Sequence, residues 1–214
     1  MTTPSEGLGH RLRHVYWLGG GSGSGKSTVA RQLAASRGMR LYSTDEAMAD
    51  HAKRCAPDDC PFLTAFKDMD MDERWLNRPP ALMLETFHWF RGEAFDLIVE
   101  DLLTFGADQA VLVEGFRLLP RLVRPLLTVR SQAVWLIPTP AFRLAAFTSR
   151  GGLTDIAGKT SAPSRALENL LQRDDMFTAL VEREAKDDGL PVINVGSAMT
   201  VDELASRVAE EFNL

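Results

Sequence analysis

Residues 17–34 read WLGGGSGSGKSTVARQLA, and this glycine-rich stretch constrains the fold more than any other part of the chain. An apolar, β-prone run (HVYWL, from His14) leads into it. A run of helix formers (KSTVARQLAASRG, from Lys26) leads out, with Val29 and Leu33 inward and Gly38 as the stop. A flexible glycine–serine linker would not be bracketed in this way. The dinucleotide pattern GxGxxG has no match between Gly19 and Thr28: the registers from Gly19, Gly21 and Gly23 fail at the sixth position and the one from Gly20 fails at the third. The pattern GxxxxGK followed by Ser or Thr fits once, on Gly20, Gly25, Lys26 and Ser27.

That pattern works by anion binding. Backbone amides of residues 21–27 can turn inward around phosphate oxygens, side chains would obstruct the approach, and the helix start adds partial positive charge. Gly20, Gly21, Ser22, Gly23, Ser24, Gly25, Lys26, Ser27 and Thr28 are therefore the expected contacts of a nucleoside triphosphate, with ATP and Mg²⁺ as the expected cofactors. Lys26 is expected to reach the β- and γ-phosphates and Ser27 to ligate Mg²⁺.

Strand-like and helix-like segments alternate beyond the loop. MRLYSTD reads as a second strand, QAVLVEG as a third, QAVWLIPTP as a fourth and LPVINVG as a fifth, with helical patterns between them. This alternation predicts a parallel sheet with helices on both faces, and ligands at the carboxyl ends of the strands. Residues 1–13 read as a loose polar tail and residues 14–214 as one domain. The apolar spacing from Ala81 to Phe105 predicts one long helix with Gly92 as its weak point, TDIAGKTSAPS reads as loop, and Thr200 with Glu203 forms a capping box for the last helix.

Two carboxylates close strand-like runs. Glu114 in VLVEG has the placement of a Mg²⁺-holding acid. Asp45 has two readings: an N-cap for the helical EAMADHAKR, or a general base accepting the proton of an attacking hydroxyl.

The GGGSGSGKST run, a strand leading to Asp45, LVEG, and an arginine-dotted segment before GLPVINV together resemble the small P-loop kinases of nucleosides, nucleotides and metabolites. The loop is similar to that of uridine-kinase-like enzymes, and the layout is similar to shikimate-kinase-like and chloramphenicol-phosphotransferase-like enzymes. The resemblance implies a three-layer α/β P-loop NTPase fold, with a five-stranded parallel sheet in the order 2-3-1-4-5 and a helical lid over about 148–172. It implies that Asp45 engages the acceptor hydroxyl, and that a lid arginine beyond the fourth strand neutralises the transferring phosphoryl group. Arg150 is the first choice for that arginine because Gly151 and Gly152 could hinge beside it; Arg173 is second, Arg143 third, and Arg165 also lies in the region.

The acceptor pocket falls in an insert over about 46–91. Its aromatic residues line a pocket or belong to the core, and the Trp75–Arg78 stretch is the better contact because it lies outside a clear helical period. Asp45, Arg78, Glu114 and Arg117 are the expected substrate contacts, with Ser27 and Glu114 on the metal. The function expected is an ATP- and Mg²⁺-dependent kinase of a small molecule; the alternative is a regulatory NTPase acting through a protein partner.

A net charge of −5 argues against a nucleic-acid surface, and no run is apolar and long enough for a signal peptide or a membrane span. A cytoplasmic protein is expected, with Cys55 and Cys60 as ordinary reduced thiols. With His51 they would make three zinc ligands, one short of the usual structural site.

Overall fold

The computed structural model describes residues 4–150 and 152–214, with side chains for 7–146 and 153–214. In chain order, α1 (Pro4–Arg11) precedes β1 (Val15–Gly20), the glycine-rich loop and α2 (Lys26–Arg37). Then β2 (Arg40–Ser43) leads into six short helices: α3 (Met48–Arg54), α4 (Pro61–Asp68), α5 (Met71–Trp75), α6 (Pro80–Thr86), α7 (His88–Arg91) and α8 (Phe95–Leu103). Next come β3 (Val111–Glu114), α9 (Pro120–Val123), β4 (Ala133–Pro138), α10 (Pro140–Arg150), α11 (Gly152–Ala157), α12 (Pro163–Asp187), β5 (Val192–Val195) and α13 (Val201–Glu211).

The five strands form one parallel sheet in the order β2-β3-β1-β4-β5. Each central strand is apolar on both faces, as a sheet covered by helices on both sides requires. Alternation sorts the side chains: Val15, Trp17, Val111, Val113, Trp135 and Ile137 pack on one face with Ile98, Leu102 and Phe177. Leu18, Leu112, Val134 and Leu136 pack on the other with Val29, Leu33, Leu204 and Val208. Each such buried side chain contributes roughly 1.5–3 kcal/mol by leaving water. The register sets Glu114 beside both Leu18 of β1 and Ser43 of β2, so β2 and β3 end together while β1 runs on two residues to Gly20 and the glycine-rich loop.

Four expectations need correction. From Pro4 onward the N-terminal segment is no loose tail: α1 brings Leu8 and Leu12 one turn apart, and Leu12 is completely buried in the core; residues 1–3 of that expected tail lie outside the described residues. The long helix expected after Pro80 is three pieces. Phe87 (ψ 113°), in extended conformation, ends the first piece, and the left-handed residues Gly92 (φ 91°) and Ala94 (φ 57°) separate the second from the third. The loop-like segment after Gly152 contains α11, because Leu153 and Ala157 bury one face against Ala166 and Leu170 of α12. Cys55 and Cys60 are joined in a disulfide: the turn between them, closed by Cys60 N–H donating to the Ala56 carbonyl, brings their Cα atoms to 6.1 Å. The capping box at Thr200 and Glu203 is present as expected, with Thr200 Oγ accepting from Glu203 N–H.

Candidate functional site

The glycine-rich loop is narrow for two separate reasons. A Cβ on Gly20 would run into the backbone of Leu136 on β4, so the strand itself demands glycine there. A Cβ on Gly25 would make only an ordinary contact with Leu204, but the residue holds φ 87°, the left-handed turn from which α2 starts. Lys26 opens the helix and is buried; its Nζ donates to the Gly21 carbonyl at 2.8 Å and to Ser24 Oγ at 3.4 Å. The loop thus closes on its own lysine. Residues 22–27 line a concavity of about 120 Å³, together with Asp45 and Phe116.

Glu114 stands behind this concavity, only 2% exposed. Ser27 Oγ donates to its Oε2 at 3.1 Å and Ser43 Oγ to its Oε1 at 2.8 Å. The two expected metal-holding residues are therefore in direct contact. Their hard oxygen atoms suit Mg²⁺, which binds through one or two protein oxygens and otherwise phosphate and water. Among the described residues, no group of three or more His, Cys, Asp or Glu could hold a metal by itself. The disulfide takes both thiols away from the zinc reading of His51 with Cys55 and Cys60.

Asp45 opens onto the cleft next to Glu114 and Lys26. Surrounding protein atoms raise its pKa by desolvation, Lys26 pulls it down, and Glu114 pushes it up again; the balance lies above the ordinary carboxylate value. The capping reading fails, because α3 starts at Met48 with Ala47 as its cap and no side-chain cap bond.

Arg117 does not face the cleft. It is 2% exposed and lies beneath Asp45, where Nη1 donates to the Thr44 carbonyl at 3.3 Å and to His51 Nδ1 at 2.9 Å. Nη2 donates to the Ala94 carbonyl at 3.0 Å, and the guanidinium lies 4.1 Å from the Trp89 ring centre. Since an arginine can only donate, His51 Nδ1 must accept, which leaves its Nε2–H to donate to Asp101 at 2.8 Å. Asp101 also accepts from Tyr42 Oη at 2.7 Å and from Arg54 at 2.7 Å. This buried chain from Asp101 to Thr44 fixes the backbone that carries Asp45. Its members come from β2, α3, α8 and the loop after β3, so no local pattern announced it.

A larger cavity of about 440 Å³ adjoins the concavity and shares Ser22, Gly23, Asp45 and Phe116 with it. Phe66, Trp75, Phe87, Trp89 and Phe90 are among its walls, and Leu153 and Ile156 from α11 close part of it. The insert's aromatic residues are thus both core and pocket wall. His88 lines the cavity while buried, and its pKa is lowered to about 3 by desolvation and then by Arg117, Lys67 and Arg74, so the ring is neutral.

The remaining arginines separate cleanly. Trp75 lines the cavity, but Arg78 does not: its guanidinium is spent on Met69 Sδ at 3.3 Å, the Leu82 carbonyl at 3.3 Å and Thr86 Oγ1. Arg143 is buried too, donating to Thr178 Oγ1 at 3.0 Å and paired with Asp175. Arg165 is exposed. The side chain of Arg150, together with Gly151, lies outside the described residues. Arg173 lines the aromatic cavity and not the glycine-rich concavity. It is 5% exposed; Nε and Nη2 donate to Asp174 Oδ1 at 2.9 and 2.6 Å.

No protein-family model matches the chain, and no curated protein matches it. A solved structure described as an uncharacterized protein from Eubacterium ventriosum ATCC 27560 is similar to it, with 16% identity and a TM-score of 0.44. The match covers 93% of this chain and 97% of that one. No helix among the described residues is long and apolar enough to cross a membrane.

Proposed function

We propose that the chain is an ATP- and Mg²⁺-dependent kinase of P-loop type that phosphorylates a hydroxyl of a small molecule. One observation carries the reading: Asp45 borders both the glycine-rich concavity and the aromatic cavity, where a base must stand between a γ-phosphate and an acceptor. A hydrolase would need only the first of these spaces. A cytoplasmic location goes with the ATP requirement.

In this reading the loop amides and Lys26 hold the phosphates, and Lys26 exchanges its bonds to Gly21 and Ser24 for phosphate oxygens. Ser27 and Glu114 would hold Mg²⁺, which neutralises phosphate charge when bound. Asp45 takes the proton of the acceptor hydroxyl as its oxygen forms a bond to the γ-phosphorus. The bond from that phosphorus to the β–γ bridging oxygen breaks, and ADP leaves with the electron pair. The raised pKa of Asp45 makes it a better proton acceptor than an ordinary aspartate.

The test is transfer of label from γ-labelled ATP to a panel of nucleosides, sugars, amino alcohols and aromatic alcohols. Label recovered only as inorganic phosphate, at a rate no acceptor changes, would turn the reading toward a hydrolase. Labelled acceptor that disappears with Asp45→Asn supports it.

A further inference from the structure

Two polar atoms in the walls of the aromatic cavity lack a hydrogen-bond partner among the described residues, His88 Nδ1 and Arg173 Nη1, and only the second is charged. Arg173 spends Nε and Nη2 on a single carboxylate oxygen of Asp174, while Nη1 is buried and has no hydrogen-bond partner among the described residues. The guanidinium carbon lies 5.1 Å from the Trp75 and Phe87 ring centres and 5.2 Å from that of Phe90. A buried N–H donor without an acceptor is costly, and an apolar pocket that holds one is shaped for a ligand bringing an acceptor atom.

The charges around the cavity limit that ligand further. Asp174 already neutralises Arg173, Asp45 adds a second carboxylate, and His88 is neutral. Two carboxylates face one guanidinium, and no other basic side chain lines the cavity among the described residues. An anion would gain one hydrogen bond and face two carboxylates, with Lys26 meeting Asp45 from the neighbouring concavity and Arg173 already engaged by Asp174. A flat, uncharged molecule gains the aromatic surface and the hydrogen bond without that penalty.

We infer that the phosphoryl acceptor is an uncharged, ring-bearing alcohol whose carbonyl or ring nitrogen accepts from Arg173 Nη1, and that phosphorylated or carboxylated acceptors are excluded. The word acceptor rests on the kinase reading; the specificity itself is a property of the cavity and is measured by binding. Arg173 is accordingly a substrate-positioning residue in the acceptor cavity.

The experiment titrates the whole chain, without nucleotide, with matched pairs: uridine and uridine monophosphate, thymidine and thymidine monophosphate, chloramphenicol and its succinate ester. Quenching of tryptophan fluorescence reports occupancy, since Trp75 and Trp89 line the cavity. The expected result is that at least one neutral member binds at least tenfold tighter than its anionic partner, and that Arg173→Lys weakens it about tenfold while the melting temperature holds. Asp174→Asn should improve binding of the anionic member, a gain that misfolding cannot produce. Equal or tighter binding of the anionic members, no quenching by any neutral member at millimolar concentration, or an unchanged preference in Asp174→Asn would each overturn the inference. Transfer assays separate the two readings: an alcohol that binds but is never phosphorylated sinks the kinase, whereas efficient phosphorylation of an anionic acceptor sinks the specificity and leaves the kinase standing.

Discussion

Lys26 Nζ donates to the carbonyl of Gly21 at 2.8 Å, so the lysine closes the loop that its own backbone opens. An incoming phosphate must replace that bond with a stronger, charge-assisted one. Lys26→Ala should therefore lower the transfer rate by about 10²–10³ and weaken nucleotide binding, with little change in melting temperature. Single-turnover transfer and nucleotide titration would measure both; an unaffected rate would remove Lys26 from the reaction.

Asp45→Asn should cut the rate by roughly 10²–10⁴ and spare nucleotide affinity. The wild-type rate should fall on acidification at a higher pH than an ordinary aspartate would give, because the active form is the carboxylate and its pKa is raised. The same shift has a stability consequence. A carboxylate whose folded pKa lies above its unfolded one favours the fold only when protonated, and that contribution is lost as pH rises through the folded pKa. At neutral pH, Asp45→Asn should thus raise the melting temperature while it lowers activity, and a scanning-calorimetry comparison at pH 7 and pH 4 would show the gain shrinking at the lower value.

Glu114→Gln should raise the Mg²⁺ concentration needed for half-maximal rate, since it removes the charge beside Ser27 and presents an amide hydrogen to one of the two serine hydroxyls. A Mg²⁺ titration identical to wild type would assign Glu114 to loop architecture alone.

His88 adds to the acid sensitivity of the fold. Its pKa falls to about 3 in the native state from an unfolded value of 6.5. The contribution of the neutral ring is complete above pH 6.5 and drains away toward pH 3, at up to about 1.4 kcal/mol per pH unit. Urea denaturation at pH 7, 6 and 5 should show this slope, and His88→Phe should flatten it.

Arg117→Met should cost at least about 2 kcal/mol through lost hydrogen bonds from a charged donor and should also slow transfer, because the Thr44 carbonyl loses its support next to Asp45. Arg117→Lys should restore stability better than rate, as a single ammonium cannot reach Thr44, His51 and Ala94 together. Equal recovery of both would make the residue structural only.

What the sequence disclosed follows from how local each signal is. Strand, glycine loop and helix lie within 24 consecutive residues, from Val15 to Gly38, and their pattern can be read directly. Asp45 and Glu114 were legible because strand ends in a parallel sheet converge by construction. The bond of Glu114 to Ser43 was not, since it depends on β2 pairing with β3. The arginines were the hardest: spacing marked Arg78 and Arg117 as candidates, yet burial consumed both, and only tertiary packing distinguishes Arg173 with its idle nitrogen. The disulfide likewise needed the turn at residues 56–59, a feature composition does not encode.

The wall shared by the two cavities has a thermodynamic corollary. Ser22, Gly23, Asp45 and Phe116 serve both, so neither occupant can settle without altering the surface offered to the other. Whatever factor separates the nucleotide's affinity in the presence and absence of the second ligand must appear, with the same sign and size, in the second ligand's affinity for the nucleotide-loaded chain. Order of addition is then a matter of kinetics alone, and the closed square of four dissociation constants is fixed by any three of them.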